Sequence, residues 1–428
     1  MGRGALDKNM TSTSYAPLSL KRNIVFATIG RGYYALTQFL VIVVTSRLGT
    51  PEDVGILTLA AAVVTPLFFL TSMGIRDVLT VDDLDRFTRV DYVVLRLAGS
   101  VLAVLVAIIA AFAVYGEQDV VVPLSILAFS LIKFFGAQSA LNHGLFQRAE
   151  RLDFVAWSIF ARGTAGFLAF VGVFFLTRDL ALALFCEAAA WFLTYSLVDQ
   201  GLLRRLNLES PFRALSATNL RRLGHLTLWV LPIGIALCLT RAATSIPAIV
   251  LENSAGLAAV GYFGVLAYAH TAMSMIANTL GSASAARLRR YFREGRVREF
   301  WHLNKQLTLL SLGLGLLATA FAWVAGATVL GWVFGSDYAM RAEFTVTVAA
   351  SGLSLVASPA VTAVTAAQAF RWRIFISGSA AAMGLVSSLI LIPTYGVMGA
   401  ALAFVVTSVV YLAATLIVCW VLISKKAG

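Results

Sequence analysis

The chain has 428 residues, of which 59% are hydrophobic and 13% charged, and its 33 Lys and Arg against 21 Asp and Glu give a net charge of +12. Soluble domains average about 45–50% apolar and about 25% charged residues, so this composition belongs to the membrane class. A nucleic-acid groove needs its basic charge on a water-facing domain, which so apolar a chain does not form, and no nucleic acid is expected as a partner.

Apolar stretches of the roughly 20 residues needed to cross a hydrocarbon core recur along the whole length. In chain order they lie near Asn23–Ser46, Val54–Thr71, Tyr92–Tyr115, Val120–Leu145, Leu152–Leu176 and Leu180–Leu203, then Leu226–Val250, Gly256–Ser282, Gln306–Phe334, Phe344–Ala367, Ile374–Ile392 and Val397–Ile423. The predicted fold class is therefore an all-α polytopic membrane protein with twelve transmembrane helices. Residues 1–22 form a cytoplasmic tail, 23–203 a six-helix lobe, 204–225 a polar cytoplasmic linker containing Ser210, Pro211, Ser216 and Asn219, 226–423 a second six-helix lobe and 424–428 a short cytoplasmic tail. Met1 to Pro17 is polar and mixed, which predicts no cleaved signal peptide.

Orientation follows from the basic residues. The outer loops hold only Arg47, Arg178 and Arg341, whereas the inner segments are crowded, notably Arg204 to Arg222 and Arg287 to Lys305. That bias places both termini in the cytoplasm. The stretch Arg287 to Lys305, interleaved with Tyr291, Phe292, Phe300 and Trp301, is read as an orienting loop, with an amphipathic lipid-binding segment as the alternative. Asp82, Asp83 and Asp85 beside Arg86 and Arg89 match no metal-loop spacing and read as a solvated turn. Cys186, Cys238 and Cys419 all lie inside apolar runs, so they are packing residues and no metal site is expected.

A weak internal repeat pairs Val54-Gly55-Ile56-Leu57 with Val260-Gly261-Tyr262-Phe263, which suggests two parallel halves with a substrate site between them. Pro66, Pro232, Pro247 and Pro359 fall inside helices, where each removes a backbone hydrogen bond and serves as a hinge or a static kink.

The informative charges are those within the spans: Arg31, Arg96, Lys133, Arg162 and Arg241, with Glu187 taken as the single acid. A charge at the bilayer centre costs about 2.5–3.5 kcal/mol on insertion scales, so each must pair, snorkel or face a wet cavity. Arg96, near the end of its helix, snorkels. Glu187 is expected to pair with Arg162 across the hairpin of the fifth and sixth helices. Arg31, Arg241 and Lys133 are then left as a cationic cavity, with Arg162 as a further member, suited to an anion and above all to phosphate. Glu187, His143 and His270 are candidates for ion coupling, the other reading of the histidines being hydrogen-bonded packing residues.

No GxxxxGK[ST], HExxH or GxSxG sequence is present, no cofactor is expected, and the short outer loops leave little room for an enzyme's acceptor site.

Several ordered motifs carry a resemblance. They are Ser46-Arg47-Leu48-Gly49-Thr50-Pro51-Glu52-Asp53-Val54-Gly55, Met73-Gly74-Ile75, Gln147-Arg148-Ala149-Glu150-Arg151, Leu231-Pro232-Ile233-Gly234, Val260-Gly261-Tyr262-Phe263, Phe334-Gly335-Ser336-Asp337-Tyr338 and Ile392-Pro393-Thr394-Tyr395-Gly396-Val397-Met398-Gly399-Ala400-Ala401. Together the chain resembles Wzx-type polysaccharide flippases of the multidrug/oligosaccharidyl-lipid/polysaccharide (MOP) exporter superfamily. The resemblance implies two six-helix lobes in a V and a cationic central cavity. It also implies alternating access that moves an undecaprenyl-diphosphate-linked oligosaccharide between leaflets of the bacterial inner membrane, for O-antigen or exopolysaccharide synthesis. Implied partners are that lipid-linked glycan, membrane lipids and other polysaccharide assembly proteins, with an H+ or Na+ gradient as the driving force. Twelve helices argue against the fourteen-helix lipid II branch, and a first helix with Arg31 and no acid argues against the drug exporters. Two alternatives stand beside this expectation: a cation/drug antiporter using Glu187, and a membrane glycan polymerase or ligase.

Overall fold

The computed structural model describes residues 18–81, 87–116, 120–206, 219–366 and 370–427. The N-terminal stretch to Pro17, the acidic turn of Asp82, Asp83 and Asp85, and the linker residues Ser210, Pro211 and Ser216 lie outside the described residues. Among the described residues the fold is entirely helical. The helices are α1 (Leu20–Leu48), α2 (Pro51–Ser72), α3 (Ile75–Val81), α4 (Arg89–Tyr115), α5 (Val121–Arg148) and α6 (Leu152–Thr177). They continue with α7 (Leu180–Thr194), a π-helical turn (Tyr195–Asp199), α8 (Gln200–Arg205), α9 (Leu220–Arg293), α10 (Val297–Phe334), a 3₁₀ turn (Ser336–Tyr338), α11 (Arg341–Ala366) and α12 (Phe370–Ala427).

Ten helical stretches among the described residues are long and apolar enough to cross a membrane. Their outward surface fits lipid rather than water, since large apolar side chains such as Leu176 and Trp332 are 80% and 81% exposed. A multi-pass membrane protein follows. The 74 residues of α9 would reach about 110 Å if straight, far beyond a hydrocarbon core of about 30 Å. The helix instead breaks at Gly256 (φ 79°, ψ 178°), and α12 breaks at Gly396 (φ 54°, ψ −126°). These positive-φ positions suit glycine, which has no β-carbon to clash. The chain doubles back at both. Arg241 and His270, on either side of Gly256, line one cavity, and Gly399 packs against the carbonyl of Leu391. Both breaks coincide with the expected edges between successive spans. The expected loop from Arg287 to Lys305 is corrected: α9 runs on to Arg293, the chain turns at Gly295 and α10 starts at Val297. Pro66 and Pro359 sit within continuous helices, and α9 departs from helical geometry only at Gly256, so Pro232 and Pro247 do not end it.

The chain divides into two compact units, Met1–Leu48 with Leu67–Gly234 and Gly49–Pro66 with Ile235–Gly428. Helices α2 and α9 therefore each begin in one unit and end in the other. The first turns of α9 belong to the first unit because Leu226 and Val230 pack in its core with Tyr92, Leu141, Phe146 and Phe154. Gly234 closes that contact, leaving no space for a β-carbon between itself and Leu70 and Met73.

Most of the ordered sequence motifs prove to be fold determinants. Thr50 and Asp53 form a reciprocal cap at the start of α2: the Thr50 amide donates to Asp53 Oδ2 (2.8 Å) and the Asp53 amide donates to Thr50 Oγ1 (3.3 Å), with Pro51 in the first turn. Gln147 to Arg151 makes the α5–α6 turn, where Glu150 adopts φ 55° and Asn23 donates to its carbonyl (2.9 Å). In the second unit, Tyr338 is buried against Tyr262 (ring centroids 5.4 Å apart). Burial, reinforced by Tyr262, Asp337, Asp53 and Glu52, raises the Tyr338 hydroxyl above the usual tyrosine range.

Candidate functional site

Each unit contains a polar centre, and the residues singled out from the sequence are shared between them. In the first unit α1, α5, α6 and α7 bring together Arg162, Glu187, Lys133, Tyr34 and Trp191. Trp191 is buried because Gly136 and Gly166 leave room for its ring: a β-carbon at Gly136 would come within 2.7 Å of it, and one at Gly166 would overlap the indole nitrogen. The Arg162 guanidinium lies over that ring, 4.5 Å from its centroid, and 5.8 Å from the ring of Tyr34. Arg162 is itself 8% exposed, and its Nε and Nη1 have no hydrogen-bond partner among the described residues.

The expected Glu187–Arg162 ion pair is not formed. Glu187 sits instead beside Gln38 and Trp191, and the cation whose field acts on it is Lys133 of α5. The indole of Trp191 takes up the face that Arg162 uses, so the hairpin alone does not decide the partner. Lys133 also rests on the ring of Phe129, at 4.9 Å. Arg96 donates from Nε to the carbonyl of Ala137 (3.0 Å), so it is satisfied by α5 rather than by snorkelling. Arg31 is exposed and, with Arg162, lies within electrostatic reach of Arg76 on α3.

Glu187 is also not the single acid within the spans. Asp199, the last residue of the π-helical turn, is 2% exposed and accepts hydrogen bonds from Ser139 and Ser158. His143 Nε2 is bonded to the same Ser158 (2.8 Å). The signal for Asp199 was present in the sequence as an acid inside the sixth apolar run, four residues before Leu203.

In the second unit, α9, α11 and α12 enclose a cavity of about 680 Å³. Arg241 and His270 line it from the two arms of α9, together with Arg289, while Arg373 and Tyr411 enter from α12. Arg241 and Arg373 both act electrostatically on Tyr411, so the hydroxyl lies within the field of both guanidiniums. His270 stacks edge-on against Phe404 (5.1 Å) and is bonded to Ser274 (3.3 Å). Twelve lining side chains carry hydroxyls, some of them paired, as in Thr240–Ser377 (2.7 Å) and Ser354–Ser408 (3.0 Å). Among the described residues that line the cavity there is no carboxylate. Along α9, His270 and Arg289 are nineteen residues apart, about 28 Å at 1.5 Å per residue, so the cavity is elongated and carries cations at more than one depth.

Arg289 lies in the basic stretch Arg287 to Lys305 that the sequence marks as an orienting segment, and Arg373 is not among the residues the sequence singles out. Only the assembly of three helices shows that they face the same space as Arg241. Arg31, Lys133, Arg162, Glu187 and His143 belong to the first unit, and Arg241 and His270 to the second.

Comparison with known proteins agrees with this architecture. Residues 20–286 match the family of polysaccharide biosynthesis proteins. The capsular polysaccharide biosynthesis protein CapF of Staphylococcus aureus is 24% identical over 394 residues, covering 91% of this chain and 97% of that protein. Among solved structures, the inward-facing conformation of a multidrug resistance MATE family transporter of the MOP superfamily superposes with a TM-score of 0.70 at 13% identity, covering 94% of this chain and 98% of that one. A MOP superfamily transporter from Pyrococcus furiosus, described as having a binding pocket of reverse polarity, gives 0.65 at 14% identity, covering 94% and 95%. By these matches the chain belongs to the polysaccharide biosynthesis protein family and has the fold of the MOP superfamily transporters.

Proposed function

We propose that this protein is a flippase that moves an undecaprenyl-diphosphate-linked oligosaccharide from the inner to the outer leaflet of the bacterial inner membrane by alternating access. Its product would serve surface polysaccharide assembly. The observation that carries the proposal is the second-unit cavity, lined by Arg241, Arg289 and Arg373 with twelve hydroxyls and, among the described residues, no carboxylate. Guanidinium forks match phosphate oxygens, and rows of Ser and Thr match sugar hydroxyls. Arg31, Lys133 and Arg162, within the first unit, are further proposed contacts for the diphosphate. The family match and the CapF relative support a polysaccharide substrate.

The proposed topology has twelve crossings, with the arms of α9 and α12 counted separately among the ten apolar helices, and both termini in the cytoplasm, a reading supported by the uneven distribution of Arg and Lys. Transport coupled to a proton or sodium gradient, with other polysaccharide assembly proteins as partners, completes the proposal.

The test is reconstitution in liposomes with a fluorescent diphosphate-linked oligosaccharide and a quencher of the outer leaflet. The protein should speed leaflet exchange, and Arg241→Ala should slow it. Exchange no faster than in empty liposomes, with movement of an organic cation instead, would overturn the proposal in favour of a drug antiporter.

A further inference from the structure

We propose that Asp199 and His143 of the first unit, bridged by Ser158, form a proton-binding site. Asp199 is 2% exposed and His143 2% exposed, so water reaches neither side chain freely. A buried carboxylate is costly unless it is paired, and Asp199 forms no ion pair among the described residues. It is held by hydroxyls instead. Ser139 and Ser158 donate to it, Ser139 and Ser158 stand 3.5 Å from each other, and Ser158 is 2.8 Å from His143 Nε2. Hydroxyls accept as readily as they donate, so this set satisfies either protonation state of the acid, which an arginine or lysine partner would not allow.

The transfer balances. A protonated His143 gives its Nε2 proton to the Ser158 oxygen while the Ser158 hydroxyl proton passes to the Asp199 carboxylate. Imidazolium and carboxylate become neutral imidazole and carboxylic acid, and the serine is unchanged. The charged groups that face the site are Arg162 from α6 and Arg76 from α3, with Tyr195 on the same turn as Asp199. Arg162 acts on both His143 and Asp199, and its buried Nε and Nη1 have no partner among the described residues, so the proton on the acid changes the field around a buried arginine of the same unit. Asp199 also closes a π-helical turn, where the hydrogen-bond ladder of the helix is already interrupted and local rearrangement costs least.

The role in energy coupling rests on the transport proposal; the proton site itself does not, and the experiment separates them. In purified full-length protein, infrared spectroscopy should show the carboxylic acid C=O stretch of a buried acid appearing as pH falls. That band should be absent in Asp199→Asn and retained but displaced in Ser158→Ala, the second variant guarding against a folding defect in the first. In liposomes, Asp199→Asn should lose stimulation by an inward or outward pH gradient while keeping gradient-free exchange. Persistence of the same band in a folded Asp199→Asn protein, its absence from the wild type, or full gradient stimulation in Asp199→Asn would overturn the site. If the wild type flips no lipid-linked glycan, the transport proposal fails alone, and the infrared titration still decides the site.

Discussion

Gly55 of α2 and Gly261 of α9 stand backbone to backbone in the second unit: a β-carbon on Gly261 would lie 3.0 Å from the Gly55 amide nitrogen, and one on Gly55 would lie 3.3 Å from that of Gly261. These are the two residues that the internal repeat pairs as counterparts. The same β-carbons would also overlap the carbonyls of Pro51 and Leu257, and Gly264 one turn further on admits Thr58 in the same way. Small residues let helix backbones approach, and such contact replaces the hydrophobic drive that is absent within lipid. Gly55→Ala and Gly261→Ala should each cost about 1–3 kcal/mol through overpacking. The double variant should cost less than the sum, because both methyls open the same contact. Thermal unfolding in detergent checks this, and unchanged midpoints in both single variants would contradict the close approach.

The cavity arginines give a second prediction. Arg241→Ala and Arg373→Ala should weaken binding of a diphosphate-bearing lipid by about 10- to 100-fold each, corresponding to charged hydrogen bonds of about 1.5–3 kcal/mol. Arg241→Lys should restore only part of the affinity, since an ammonium cannot present two parallel donors. Tyr411→Phe keeps the ring and removes only the hydroxyl on which both arginines act, so a smaller loss is expected. Titration calorimetry with a short-chain prenyl diphosphate at two salt concentrations distinguishes a specific loss from general screening. Equal affinity in wild type and Arg241→Ala would contradict the assignment.

Architecture was legible in the residues to a greater degree than the site. Span edges fell at Gly256 and Gly396 because a polar or glycine-bearing break in an apolar run marks a reversal whatever surrounds it. Arg241 and His270 were legible for the same local reason, as charges or titratable groups deep in apolar runs. Arg289 and Arg373 were not, because arginines near helix ends look alike whether they orient the chain or line a cavity. Only the packing of α9, α11 and α12, whose lining residues run from Leu237 to Tyr411, separates the two cases. The Glu187 partner was missed for a related reason. Neighbouring helices fix which elements meet but not their rotation, and Trp191, seated on Gly136 and Gly166, decides which side chain reaches Arg162.

That seat yields a third prediction. Gly166→Ala places a methyl on the Trp191 indole nitrogen, so the ring must shift from beneath Arg162. The expected outcome is a loss of the cation–π contact, about 0.5–2 kcal/mol, added to the overpacking cost. Trp191→Phe should retain part of the contact and Trp191→Ala none. Chemical denaturation ranks the three. A Gly166→Ala protein as stable as wild type would show that the ring is free to move.

The last prediction concerns the join between α4 and the first turn of α9. Asp91 is fully buried, caps α4 through the amide and hydroxyl of Thr88 (both 2.8 Å), and pairs with Arg222 Nε at 2.9 Å. Nearby, Phe87 stacks on Trp229 (5.8 Å), so α9 is anchored to the first unit by one charge pair and one aromatic pair before it passes into the second at Ile235. Removing one partner of a fully buried pair costs about 3–5 kcal/mol, but the Arg222 side chain is 35% exposed and regains water, which lowers the figure to about 1–2 kcal/mol. Asp91→Ala loses the cap as well, a further cost of about 1 kcal/mol, whereas Asp91→Asn keeps an acceptor for Thr88 and loses chiefly the charge. Arg222→Ala should be worse than Arg222→Met, because it removes the side-chain stem along with the charge. The ordering Asp91→Ala, then Asp91→Asn, then wild type in thermal stability is the measurable outcome. Since α9 carries Arg241 only seven residues beyond Gly234, slower transport in Asp91→Asn at unchanged substrate affinity would mark this anchor as part of the moving machinery, and unchanged transport would mark it as structural only.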